Sequence, residues 1–171
     1  MQFIARMIRA AKLEQSLYKE VAHDQHATRQ ALVVVLLSSL AAGLGATPVA
    51  GPSGLVTGGL VALLAWYIWT FLTCIIGVKL FPMSRTSARH WEVWRALGFA
   101  SAPGVLRIFG AIPGVAGIAF LVAVVWMLLA AVIGVRQVLD YTSTVRAVGV
   151  CVPGWLVQVL LSLFLLLLLG Q

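Results

Sequence analysis

The sequence predicts an all-α protein: a polytopic bundle of transmembrane helices preceded by an amphipathic surface helix. Three observations carry this expectation. Of 171 residues, 61% are hydrophobic and only 10% charged, where a soluble domain has roughly a quarter charged. The mean hydropathy is +1.02. The charges are also segregated, with no Asp, Glu, Lys, Arg or His between Gln30 and Lys79 or after Arg146. A charge in hydrocarbon costs roughly 2.5 to 3.5 kcal/mol on insertion scales, so a bilayer selects such gaps. A net charge of +7 would suggest nucleic acid in a soluble protein. Here the Lys and Arg residues cluster between apolar runs, as the retention of cationic loops on the cytoplasmic side requires, and no nucleic-acid partner is expected.

Residues 1–30 form the first unit. Phe3, Ile4, Met7, Ile8, Ala11, Leu17 and Val21 recur at helical spacing beside Arg6, Arg9, Lys12 and Lys19. That pattern predicts a helix on the membrane surface with its cations near anionic headgroups, or one packed on the cytoplasmic face of the bundle. No cleavable signal is expected, because about thirty mostly polar residues precede the first apolar run, unlike a signal peptide. Neither a myristoylation glycine nor a prenylation box is present.

Residues 31–171 form the membrane domain. The first span is expected at 31–47, about 25 Å of helix at 1.5 Å per residue. An uncharged turn of Pro, Gly and Ser follows at 48–54, and a second span at 55–78. Lys79, Arg85, Arg89, His90 and Arg95, with Trp91 and Trp94, mark a cytoplasmic interface. Spans at 112–135 and 148–170 complete the strong apolar runs. The stretch 96–109 is short, contains Pro103 and Arg107, and is decided by parity. If Arg136 and Arg146 are cytoplasmic too, an even number of crossings must separate them from Arg95. Residues 96–109 then cross, with Arg107 snorkelling at the far interface. The alternative is four spans plus a re-entrant segment.

Few residues offer chemistry. Asp140 lies four positions after Arg136, so the two can share a helix face. They read either as a cytoplasmic helix-end pair or as an ion-coupling site. Arg107 either snorkels or faces an anion in a cavity. Gln158 is a buried amide suited to bonding across helices. Gly54, Gly58, Gly98 and Pro103, with Gly43 and Gly45, suit close helix packing. His23, Asp24 and His26 lack further ligands nearby for a metal, and Cys74 and Cys151 lie inside apolar spans without ligand spacing. Trp66, Tyr67 and Trp69 read as fillers between helices. No cofactor and no catalytic group is expected.

The segment Arg95-Ala96-Leu97-Gly98-Phe99-Ala100-Ser101-Ala102-Pro103-Gly104-Val105-Leu106 resembles the opening of the third membrane segment in the YIP family, the Ypt/Rab-interacting membrane proteins. Gly134-Val135-Arg136-Gln137-Val138-Leu139-Asp140-Tyr141, continuing to Ala147, resembles bacterial members. Ile112-Pro113-Gly114 and Val124-Val125-Trp126 fall where such proteins place a turn and the next span. The resemblance covers roughly residues 30 to 170. It implies a five-helix domain in a bacterial inner membrane with a cytoplasmic N-terminus. Eukaryotic relatives organise vesicle traffic by contacting lipidated GTPases through a longer N-terminal region, an activity not transferable to this short arm. The expected function is a non-catalytic scaffold or accessory subunit that contacts lipids and other integral membrane proteins. A small transporter or channel using Asp140 and Arg107 is the alternative.

Overall fold

A computed structural model of the chain describes residues 2–77 and 90–169, and these are helical with no strand. The elements are α1 (Gln2–Ala11), α2 (Gln15–His23), α3 (Ala27–Ala50), α4 (Ser53–Ile75), α5 (His90–Ala100), a 3-10 helix (Ala102–Ala111), α6 (Ala116–Val138) and α7 (Thr144–Leu169). Four helices, α3, α4, α6 and α7, are long and apolar enough to cross a membrane. The expected basic positions Lys79, Arg85 and Arg89 lie outside the described residues.

The N-terminal arm is two helices rather than one. Leu13 adopts a left-handed φ of 61°. The Leu13 N–H donates to the Ala10 carbonyl and the Glu14 N–H to the Arg9 carbonyl, the paired bonds that close a helix end. The apolar stripe is thereby split between two short helices. Phe3, Met7 and Ala10 pack with Val34, Phe99 and Ala102 of the bundle. Ile4 and Ile8 stay exposed, at 64% and 51%.

The helices also overrun the apolar runs that predicted them. Arg29 lies within α3, Arg136 within α6 and Arg146 within α7, because a helix continues until a cap or Pro stops it and need not end where hydrocarbon does. The turn expected at 48–54 shrinks to Gly51-Pro52, with Gly51 at φ 64°. Pro48 stays helical. It lacks the N–H that would reach the Leu44 carbonyl, and the Thr47 hydroxyl donates to that carbonyl at 2.8 Å instead.

The stretch expected as one short span is composite. Pro103 would clash with the carbonyl four residues before it in an α-helix, so α5 stops at Ala100 and a tighter helix continues. Ten residues is long for such a helix, which commonly runs three or four. Side chains added at Gly98, Gly104 and Gly110 would meet Ala31, Ser38 and Gly45 in turn. The composite segment therefore lies parallel to α3 and alongside it from 31 to 45, about 21 Å of helix axis. Helix α6 runs back the other way. Phe120 lies by Gly45 and Gly110, Met127 by Gly104, and Gly134 against Ala96 and Tyr18.

One end of the bundle gathers the start of α3, α5 and α7 and the end of α4 and α6. Tyr141 donates to the Gly77 carbonyl at 3.0 Å, Arg136 to the Thr144 hydroxyl at 2.9 Å, and Gln137 to Gln15 at 3.0 Å. The main core, including Val35, Trp66, Trp69, Leu97, Val135 and Val150, fills the space between α2, α3 and α4–α7. Of the tryptophan fillers, Trp66 and Trp69 are buried and Trp69 donates to the Cys151 carbonyl. Tyr67 is half exposed, edge-on to Trp94.

Candidate functional site

The polar side chains sort into two places. The first is the arm. Arg6 pairs with Glu20 and Asp24, both at 2.9 Å, and Arg9 with Glu14 and Glu20, both at 2.7 Å. These pairs form a network that ties α1 to α2. Lys12 and Arg29 remain exposed. The Arg9 guanidinium, with Ser16, pulls the Glu14 carboxyl down to about 2 and holds Glu20 below its ordinary range. Burial pushes the Tyr18 phenol upward, and its hydroxyl reaches the Ala10 carbonyl.

Asp140 belongs to this end and does not pair with Arg136 as its spacing suggested. Helix α6 stops at Val138 and Asp140 turns left-handed, φ 50°, which breaks the i, i+4 geometry. Its carboxylate pairs instead with Lys19 at 3.3 Å, both side chains more than half exposed. Arg95, expected in a polar loop, is buried within α5. It donates to the Ala22 carbonyl at the end of α2 and to Thr28. A cation there satisfies carbonyls that a helix terminus leaves open.

The second place is the middle of the bundle. Arg107 does not snorkel: it is 8% exposed and turned inward. Nε donates to the Gly104 carbonyl at 3.1 Å, and Nη2 to the Ser38 carbonyl at 2.9 Å and its hydroxyl at 2.7 Å. Nη1 makes no hydrogen bond, and no acid pairs with this guanidinium among the described residues. Ser38, Trp66, Met127 and Gln158 come from near the midpoints of α3, α4, α6 and α7 and meet Arg107 around a void of about 10 Å³. Trp66 Nε1 and Gln158 Oε1, a donor and an acceptor, are buried without partners.

From Arg107 and Gln158 an apolar cleft of about 530 Å³ extends towards the end of the bundle opposite the arm. Its walls include Ala42, Ala46, Gly58, Phe120, Trp155 and Leu163. This is the size of clefts that take small molecules. The glycines and the proline make the geometry possible. A side chain at Gly45 would strike the Arg107 carbonyl, and one at Gly104 the Ser38 hydroxyl. Gly54 and Gly58 sit against Ala50 and Ala46 between α4 and α3, and Gly98 against Ala31. Pro103 opens the 3-10 turn that carries Arg107.

The sequence named Arg107 and Gln158 separately, and the fold brings them together. It leaves Asp140 and Arg136 at the far end of the molecule. Ser38 and Trp66 were missed as partners, since nothing in a uniformly apolar run marks which face looks inward. Among the described residues no group of three or more His, Cys, Asp and Glu could hold a metal, and both cysteines are free. No family model matches the chain, and no curated protein or solved structure does either.

Proposed function

We propose that this chain is a five-crossing, non-catalytic integral membrane protein that acts by binding, as a scaffold or accessory subunit for other membrane proteins. The observation that carries the fifth crossing is the register of residues 98–110 beside residues 31–45 of α3. A segment that keeps company with a spanning helix over about 21 Å covers most of a hydrocarbon core of about 30 Å. The N-terminus and the basic end then lie in the cytoplasm and the end of α7 on the opposite face. Helix α1 rests at the membrane surface with Ile4 and Ile8 in lipid. Five helices with this orientation are also what the resemblance to bacterial YIP-type proteins implies.

The non-catalytic reading is supported by how the acids are used. Of five acids in the chain, Glu14, Glu20, Asp24 and Asp140 are held in ion pairs with cations of the arm. They fasten the arm rather than converge on a substrate-sized cleft. The topology is tested by cysteine labelling with a membrane-impermeant maleimide. Ile112→Cys is expected to react from the non-cytoplasmic side and Thr142→Cys from the cytoplasmic side. The reverse pattern, Ile112→Cys from the cytoplasm and Thr142→Cys from the opposite side, would reduce the bundle to four crossings with residues 96–109 re-entrant. The binding role is tested by purification in mild detergent, where return of the free chain alone, with no reproducible companion, counts against it.

One observation favours a second reading, a small transporter: a buried cation beside a cleft at mid-bundle. In that reading the work falls to Arg107 alone, because Asp140 is paired at the cytoplasmic end.

A further inference from the structure

An arginine at the midpoint of a membrane bundle with no acid beside it is expensive, and polar groups in such positions pair or serve a ligand. Arg107 has two of its donor nitrogens engaged and one, Nη1, uncommitted. The neighbouring Gln158 presents a buried carbonyl oxygen that lacks a donor. Beyond these two groups the cleft is apolar, bounded by Ala46, Phe120, Trp155 and Leu163. A polar end that needs both an acceptor and a donor, continued by an apolar wall, describes an amphiphile.

The dimensions narrow its class. The lining on α7 runs from Trp155 to Leu163 and on α3 from Ala42 to Ala46, about 12 Å and 6 Å at 1.5 Å per residue. The cleft's volume of about 530 Å³ lies in the range of clefts that hold small molecules. A single chain with a polar end can lie along the apolar wall and reach both groups. A carboxyl group suits the polar end, since its oxygens accept from a guanidinium. Desolvation also raises its affinity for a proton, and the resulting O–H can donate to Gln158.

We propose that the cleft binds a single-chain carboxylic amphiphile, a long-chain fatty acid being the simplest, with its carboxyl group on Arg107 and Gln158, the first carbons of its chain along Phe120 and Trp155, and the remainder in the surrounding lipid. This requires the cleft to lie at bilayer depth, and so rests on the membrane reading above. It does not depend on which proteins the chain accompanies.

The test uses the full chain in detergent micelles with doxyl-labelled stearic acid as quencher, read as the fluorescence difference between wild type and Trp155→Phe. Saturable quenching that unlabelled oleate competes away is expected. The methyl ester of the same probe should bind more weakly by about tenfold to a hundredfold, the worth of a hydrogen bond to a charged group. Arg107→Gln should weaken the acid by that factor and the ester, whose carbonyl also accepts from the guanidinium, by less. Ala62→Phe, at a position that lines the cleft, should abolish both. Unsaturable quenching, equal binding of acid and ester by wild type, or retention in Ala62→Phe would each overturn the proposal. Should Arg107→Gln fail to fold, the acid–ester comparison in wild type and the Ala62→Phe variant still decide it. The Ile112→Cys labelling reports separately on the topology.

Discussion

Gly45→Ala should be among the most damaging single-methyl changes in this protein. The added carbon would collide with the backbone carbonyl of Arg107 and come within 3.0 Å of the Phe120 ring. Neither backbone can rotate aside as a side-chain tip would, so the 3-10 helix must move off α3. Overpacking of this kind costs up to about 3 kcal/mol. The gain in helix propensity from Gly to Ala returns about 1 kcal/mol, leaving a net loss of about 2 kcal/mol. Gly149→Ala is the control. It lies in α7 with nothing near its new methyl, so it should gain about 1 kcal/mol. The contrast of about 3 kcal/mol exceeds a hundredfold in the folding equilibrium.

The buried, free Cys74 and Cys151 provide the assay, as reaction with a thiol-sensitive dye on heating in detergent. For a chain of this size each kcal/mol moves the midpoint by about 2–4 °C. Gly45→Ala should therefore melt about 4–8 °C below wild type and Gly149→Ala about 2–4 °C above it. Equal midpoints for the two variants would mean that the 3-10 helix does not lie against α3, and the argument for a fifth crossing would lose its main support.

Three further outcomes follow from the arm and its anchors. The folded Glu14 carboxyl lies below its ordinary 4.5, at about 2, and Glu20 is lowered too. Their contribution to docking the arm is therefore complete above about 4.5 and lost as pH falls towards 2; the protection of α1 amides relative to their intrinsic exchange rate should fall over that window and stay flat above it. Asp140→Asn removes an exposed pair with Lys19 worth at most about 1 kcal/mol, so any flux measured in vesicles should be unchanged, and a large loss would return Asp140 to the functional site. Arg95→Met deletes the bonds to the Ala22 carbonyl and Thr28, and should lower stability by about 1.5–3 kcal/mol, seen as a lower midpoint in the same thiol assay.

Membrane character was legible because it is a property of composition: an apolar, charge-free run long enough to cross a bilayer reads as a span whatever the fold around it. The ends of α3, α6 and α7 were less legible, since Arg29, Arg136 and Arg146 mark the edge of hydrocarbon and not the end of a helix. The fate of Asp140 was hidden because its partner Lys19 lies on another element, and only the end of α6 at Val138 turns it there. The i, i+4 spacing held no information about that stop.

The same division runs through the candidate site. Sequence alone determined that Arg107 and Gln158 are polar groups in apolar segments, because a transfer cost attaches to each residue wherever its helix goes. Only the tertiary structure decided that Arg107 turns inward onto Ser38 and borders one cleft with Gln158. Helices in a bilayer can be apolar on every face, so their sequences carry little record of which face meets a neighbour. Backbone approach at Gly45 and Gly104 sets those faces, and it emerges only when α3 and the 3-10 helix are laid side by side.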